Sequence, residues 1–295
     1  MTNTAAADTQ SSLKGIGCMV LGGLFLTIND AIQKWMTGDF PRGELLAVRG
    51  IFVMIPILII AWRMGGISTL KISSGRGQAA RAVLVCASSF MFISALSLMP
   101  LADAIALTFV GPLFMTGLAA MMLGEVVGWR RWGAVTVGFI GVIIMLRPGD
   151  GAAQWAAAFP LGVAFCGALR DVITRHMHNT ETTPAIMFYS GLAIVVVYST
   201  TAFSGWKPID AGHLALFALN GLVLGIAYFF LIEALRLAKA SVVAPYKYVS
   251  MVWALLFGFA LWGDLPDVWM IAGGVLVVGS GLYILRRESL AKGAV

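Results

Sequence analysis

The sequence predicts an all-α integral membrane protein of ten transmembrane helices, arranged as two inverted five-helix repeats. Three observations carry that reading: a composition too apolar for a wetted surface, ten apolar runs of bilayer-crossing length, and an internal duplication that divides the runs five and five. Of 295 residues, 59% are hydrophobic and 12% charged, with a mean hydropathy of +0.89. Soluble domains carry about half apolar and about a quarter charged residues. The runs are about 18 to 22 residues long, the length that crosses a hydrocarbon core of about 30 Å. They are continuous rather than alternating with period two, so helices, not a barrel, satisfy the backbone in lipid.

In chain order the expected spans are 14–36, 44–62, 79–99, 103–123, 130–147, 157–177, 184–204, 212–234, 242–262 and 268–286. The first follows a polar, Ala/Thr-rich stretch and carries Asn29, Asp30 and Lys34; the second follows Pro41 and contains Arg49 and Pro56. The fourth contains Pro112 and stops at Gly124-Glu125, and the fifth opens on Arg130-Arg131 and stops at Pro148. The sixth holds Arg170, Asp171 and Arg175, and the seventh opens on Pro184. The eighth follows Pro208 and carries Tyr228 and a GxxxG (Gly221, Gly225), a helix-packing face. The ninth contains Pro245, Tyr246, Lys247, Tyr248 and Trp253; the tenth follows Pro266 and ends at Arg286-Arg287. Prolines fall between spans or at their starts, where the missing N–H costs least, or inside, where they can kink a helix. Residues 1–13 read as a disordered cytoplasmic tail without the basic start of a signal peptide, 14–149 as the first repeat, 150–288 as the second, and 289–295 as a second cytoplasmic tail.

With the N-terminus cytoplasmic, thirteen Lys and Arg, Arg81 among them, fall in inside loops and four in outside loops. Arg49, Arg170 and Lys247 lie within spans and complete the 20. That bias places both termini in the cytoplasm and the chain in the bacterial inner membrane. The same scatter of short basic clusters, with no dense tract, argues against a nucleic-acid partner despite the net charge of +6. Cys18, Cys86 and Cys166 stand singly in apolar runs and imply neither disulfide nor zinc. No GxxxxGK[ST], HExxH or GxSxG occurs, and the three histidines lie at span ends. No cofactor, metal or ATPase subunit is therefore expected, and an integral-membrane enzyme is the alternative of another class.

Ala95–Glu125 repeats as Ala234–Asp264 at an offset of 139, and Asn29-Asp30 with Lys34 repeats as Arg170-Asp171 with Arg175 at 141. Five spans per half is odd, so the halves insert in opposite senses, the architecture of many secondary transporters. The run Pro100–Gly149, with Pro112 and Gly124-Glu125, resembles the second half of an EamA repeat of the drug/metabolite transporter superfamily. The matching run Ala240–Asp264 departs from it: Met251 stands opposite Pro112, Pro245 comes earlier, and Asp264 replaces Glu125. The resemblance implies a ten-helix carrier with a central cavity between the repeats, and bacterial carriers of riboflavin, S-adenosylmethionine or amino acids as its kin.

A charge at a helix centre costs roughly 2.5–3.5 kcal/mol on insertion scales, so each buried one needs a reason. Counting residues puts Asp30 and Arg49 at a common depth, about 8–9 Å below the outer surface. Asp171 and Lys247 share a depth from the inner one. The expected pairs are Asp30–Arg49 outside and Asp171–Lys247 or Glu233–Lys247 inside, acting as gates or as cavity lining, with a proton as the coupling ion; structural ion pairs are the alternative. Asn29, Arg170, Tyr228, Tyr246 and Trp253 complete the expected substrate-binding or gating set, Tyr246 and Trp253 being seven apart on one helix face. The aromatics favour a planar heterocycle such as riboflavin as cargo; an S-adenosylmethionine or amino-acid carrier uses the same cations for a carboxylate.

Overall fold

The computed structural model describes residues 2–122, 128–146, 152–177, 181–238 and 240–292. Twelve helices are present among them: α1 (Thr2–Met36), α2 (Arg42–Arg63), α3 (Gly75–Leu98), α4 (Leu101–Thr108), α5 (Gly111–Met122), α6 (Trp129–Leu146), α7 (Ala152–Met177), α8 (Thr183–Ser199), α9 (Ala211–Leu237), α10 (Ala240–Val243), α11 (Val249–Trp262) and α12 (Val268–Lys292). Nine spans among the described residues are long and apolar enough to cross a membrane, with α4 and α5 together forming the fourth. The ninth expected span is broken into α10, a 3-10 segment (Ala244–Tyr248) and α11, whose 14 residues fall short by themselves. The Gly124-Glu125 marker lies outside the described residues, as does the side chain of Arg175.

Two differences from expectation concern helix continuity. The expected tail, residues 2–13, continues α1 as helix. Its alanines are the best helix formers, and extending an existing helix avoids the cost of nucleation. The fourth and ninth spans, expected to be continuous, are both interrupted. At Phe109-Val110, Pro112 has no N–H to give the carbonyl of Thr108, and its ring collides with that carbonyl, so α4 stops there. Pro245 acts likewise on the ninth span, which tightens into 3-10 geometry. At the repeat offset of 139, Phe109 corresponds to Tyr248, the last residue of that 3-10 segment.

The duplication is visible in the packing. Exchange each span for the one five later and the principal helix pairs map onto themselves. The α1–α9 pair becomes α7–α3, α2–α9 becomes α8–α3, and α5–α7 becomes α11–α1. The pairs α2–α8, α6–α12 and α4–α11 straddle the pseudo-two-fold and map onto themselves. Glycines permit the closest approaches. A Cβ at Gly221 would strike the backbone of Phe52 and Val53, and one at Gly225 the ring of Pro56. The GxxxG thus packs α9 on α2 inside the bundle. Gly141 and Gly273 each face the other's carbonyl across α6 and α12.

Carboxylates tie loops to helices on both sides. Glu44, fully buried in the first turn of α2, accepts from the Lys207 backbone N–H at 3.0 Å. Glu181, just before α8, accepts from the backbone N–H groups of Ser73 (2.7 Å) and Ser74 (2.5 Å) and from Gln78 Nε2 (3.1 Å). Burial raises the Glu181 pKa, but these bonds outweigh it and hold the carboxyl below its usual range. A depressed pKa stabilises the fold above the ordinary carboxylate value, and that contribution is lost as pH falls through the lowered one. E181Q is expected to cost about 1–2 kcal/mol, a drop of a few degrees in Tm, and to flatten the acid side of the Tm–pH curve. A thermal melt across pH 3–7 checks it; identical curves for variant and parent refute it.

Candidate functional site

Two polar clusters lie inside the bundle, one in each half. In the first, α1 places Asn29, Asp30 and Gln33 together by helical spacing, since 29 and 33 are one turn apart. They are 2%, 8% and 2% exposed. Asp30 Oδ1 accepts from Asn29 Nδ2 at 3.0 Å and from Gln33 Nε2 at 3.5 Å. Asn220 of α9 donates its Nδ2 to the Asn29 carbonyl at 2.9 Å. Arg49, half-buried on α2, is an opposite charge to the Asp30 carboxylate. The expected Asp30–Arg49 pair is thus an electrostatic contact: among the described residues, the carboxylate's direct partners are the two amides. The amides are adjacent on the same helix, whereas Arg49 must reach across from α2.

In the second cluster, Arg170 Nε and Nη2 both donate to Asp171 Oδ1 at 3.1 Å, with side chains 36% and 57% exposed. Lys247, exposed in the 3-10 segment, attracts Asp171 from a distance while Arg170 repels it. The expected Asp171–Lys247 pair therefore yields to the neighbouring Arg170, which reaches the carboxylate without crossing between helices. Arg81, expected in a loop, is a 6%-exposed residue of α3. Its Nη1 donates to the Arg170 carbonyl at 3.4 Å and to Thr174 Oγ1. Two partners on α7 make burial of the guanidinium affordable there.

The clusters are repeat mates at the level of single bonds. Asn29 and Arg170 correspond at 141, and Arg81 and Asn220 at 139. The bond from Asn220 to the Asn29 carbonyl in one half is the bond from Arg81 to the Arg170 carbonyl in the other. The two helix breaks meet: Phe109 and Tyr248, themselves repeat mates, pack with ring centroids 4.9 Å apart and planes tilted by 36°. Tyr248 is 8% exposed and its hydroxyl makes no hydrogen bond among the described residues. The hydroxyl lies over Gly281, where a Cβ would overlap it. Interrupted helices at matching positions of two halves are where transporters of this architecture build sites. Gln33, Arg81, Phe109 and Asn220 were not among the expected site residues, whereas Tyr248 was an expected lining aromatic; the repeat offsets alone carry a signal for three of the four.

The remaining expected residues are more dispersed. Tyr228 packs against Val53, Ile57 and Leu224. Tyr246 is 39% exposed, whereas the Trp253 Nε1 is buried without a hydrogen bond among the described residues. The 3-10 geometry at 244–248 advances the chain 120° per residue instead of about 100°, so a seven-residue spacing across the break no longer marks one face. Lys34 does not neutralise Asp30: its Nζ donates to the Leu96 (3.2 Å) and Met99 (2.6 Å) carbonyls at the C-terminus of α3. A cavity of about 380 Å³ between α6 and α12, lined by Trp129, Arg130, Gly133 and Tyr283 among others, contains no residue of either cluster.

Residues 13–147 and 154–286 each match the EamA-like transporter family. The S-adenosylmethionine uptake transporter of Rickettsia felis is 27% identical over 279 residues, covering 95% of each chain. The riboflavin transporter of Rhizobium johnstonii is 27% identical over 286 residues, 96% of this chain and 94% of that one. The pseudopaline exporter of Pseudomonas aeruginosa is 24% identical over 93% of this chain and 96% of its own. A solved crystal structure superposes with a TM-score of 0.63 at 18% identity, covering 95% of this chain and 99% of the other, which establishes a common fold.

Proposed function

The chain belongs to the EamA-like transporter family, and from that premise we propose that it carries a small organic metabolite across the bacterial inner membrane by alternating access. The observation that carries this reading is the unequal exposure of repeat mates. Asp30 is 8% exposed and Asn29 2%, while the side chains of Asp171 and Arg170 are 57% and 36% exposed. One half-site is closed and its mate open. Halves related by a pseudo-two-fold can exchange these arrangements at little cost, which closes one side as the other opens. The bias of basic residues supports placing both termini, and hence the open Asp171 cluster, on the cytoplasmic side. A proton is the proposed coupling ion, with Asp30 and Asp171 as its carriers; neither an enzymatic activity nor an ATPase subunit is part of the reading.

S-adenosylmethionine, which bears a carboxylate, an ammonium and a sulfonium beside a planar base, is the proposed substrate. Charges of both signs converge in the clusters, whereas two of the aromatics that favoured a neutral flavin do not: Tyr246 is exposed and Tyr228 sits in an apolar cluster. Riboflavin is the second reading, favoured by the Phe109–Tyr248 aromatic pair and by the riboflavin-transporting relative. Counterflow in proteoliposomes with labelled S-adenosylmethionine and labelled riboflavin separates them. S-adenosylmethionine is expected to accumulate in exchange for internal unlabelled substrate. Accumulation of riboflavin alone transfers the proposal to the second reading, and accumulation of neither removes both.

A further inference from the structure

We infer that the occluded Asp30 cluster is a two-point site for an amino-acid head group, with oxygens of Asn29, Asp30, Gln33 and Asn220 taking its ammonium and Arg49 its carboxylate. The inference rests on the S-adenosylmethionine reading above and assigns the residues that would enforce it. The carrying observation is a set of acceptors with nothing to accept. Asn29 Oδ1, Gln33 Oε1 and Asn220 Oδ1 are buried and receive no hydrogen bond among the described residues. Their residues are only 2%, 2% and 1% exposed. Buried polar atoms are rarely left so, and three in one hydrogen-bonded group, two on the amides bound to Asp30 and one on Asn220 bound to Asn29, need a common explanation.

The hydrogen bonds show that the group is contiguous. Asn29 and Gln33 both donate to Asp30 Oδ1, and Asn220 donates to the Asn29 carbonyl. A 180° turn of either α1 amide replaces its N–H bond to Asp30 with an oxygen facing the same point. The cluster can therefore present a carboxylate and several amide oxygens to one ligand group. A primary ammonium, with three donors and no acceptor, fits that demand; a carboxylate or carbonyl does not.

Arg49 supplies the other point. It stands on α2 one turn before Phe52 and Val53, whose backbone packs directly on Gly221 beside Asn220, and it donates no hydrogen bond among the described residues. A planar fork of free donors matches a carboxylate in bidentate fashion. With the ligand's ammonium and carboxylate in place, Asp30 and Arg49 each face an opposite charge and the site stays neutral. The repeat mate of this site lacks the property. There Arg170 replaces Asn29 and both its Nε and Nη2 occupy Asp171 Oδ1, so an arginine already stands in the ammonium's position. The site is consequently asymmetric within a symmetric frame.

The test is binding of labelled S-adenosylmethionine to the purified full-length chain in nanodiscs, beside its deaminated 2-oxo acid analogue and riboflavin. The parent is expected to bind S-adenosylmethionine about 10- to 100-fold more tightly than the analogue, the range for losing charge-assisted hydrogen bonds. Q33L and N220L are expected to weaken S-adenosylmethionine by a similar factor while leaving the analogue's affinity unchanged. R49Q should weaken both compounds equally, because both keep the carboxylate. N220D and Q33E, which preserve volume, serve where the leucine variants do not fold, and N220D is expected to retain or tighten ammonium binding. Equal affinity of the parent for S-adenosylmethionine and the analogue, or parent-like discrimination in Q33L and N220L, overturns the two-point site and leaves the substrate reading standing. Binding of riboflavin but of neither other compound removes both.

Discussion

D30L is expected to reduce substrate counterflow by roughly 30- to 100-fold, corresponding to about 2–3 kcal/mol lost at a buried, hydrogen-bonded charge. Asp30 is the hub of its cluster. It accepts from Asn29 and Gln33 and is the nearby anion to which Arg49 responds. Leucine there leaves two buried amides without an acceptor and a half-buried guanidinium without a counter-charge. D30E keeps the charge and lengthens the side chain by one methylene, and should retain more activity than D30N, which keeps the shape and loses the charge. The order D30E above D30N above D30L, in initial rates corrected for protein in the membrane, is the expected result. Equal activity of D30N and the parent would show that the charge is dispensable. D171N is expected to have a smaller effect on folding than D30N, because Asp171 is 57% exposed and its partner Arg170 36% exposed.

G281V is expected to abolish transport and to lower the yield of folded protein, and G281A to do so partially. A Cβ at Gly281 overlaps the Tyr248 hydroxyl and comes within 3.0 Å of Tyr248 Cζ. Tyr248 cannot retreat easily, since its ring packs against Phe109 where the two broken spans meet. Overpacking of this kind costs about 1–3 kcal/mol. The hydroxyl itself is buried and makes no hydrogen bond among the described residues, so removing it forfeits little. Y248F alone should therefore be near neutral in stability, and Y248F should rescue G281A by removing the colliding atom. Thermal melts of the four proteins in the cycle check this. A double variant no more stable than G281A would mean that the glycine serves something other than this close approach. If the Phe109–Tyr248 contact is where the halves move against one another, G281A should also slow counterflow more than it weakens substrate binding.

Much of this protein was legible in its residues. Bilayer-length apolar runs have one solution in lipid, so helix number and order followed from length and hydropathy. The repeat was legible because the two halves keep the same chemistry at fixed offsets. Asn29-Asp30 and Arg170-Asp171 aligned at 141, and the structure gives the residue before each Asp the same kind of carbonyl contact. The pairing of charges was not legible. Depth along a helix is a one-dimensional quantity, and it ranked Asp30 with Arg49 and Asp171 with Lys247 without knowing which neighbours lay nearer. Asp30 satisfied itself through amides one position before and one turn after it, and Asp171 through the adjacent Arg170. Arg81 was misplaced for a related reason. A basic residue at the start of an apolar run reads as a loop residue unless partners on another helix, here Arg170 and Thr174 of α7, hold it inside.

What the sequence by itself determined was the solvent, the helical class, the twofold plan and its offsets, because these depend on composition and on spacing along the chain. Tertiary structure alone decided that Phe109 and Tyr248 meet where the fourth and ninth spans break, and that one of two matching clusters is buried while the other is exposed. Those features arise from contacts between segments over 100 residues apart, whose energies depend on distance and burial, and neither is written in a one-dimensional pattern.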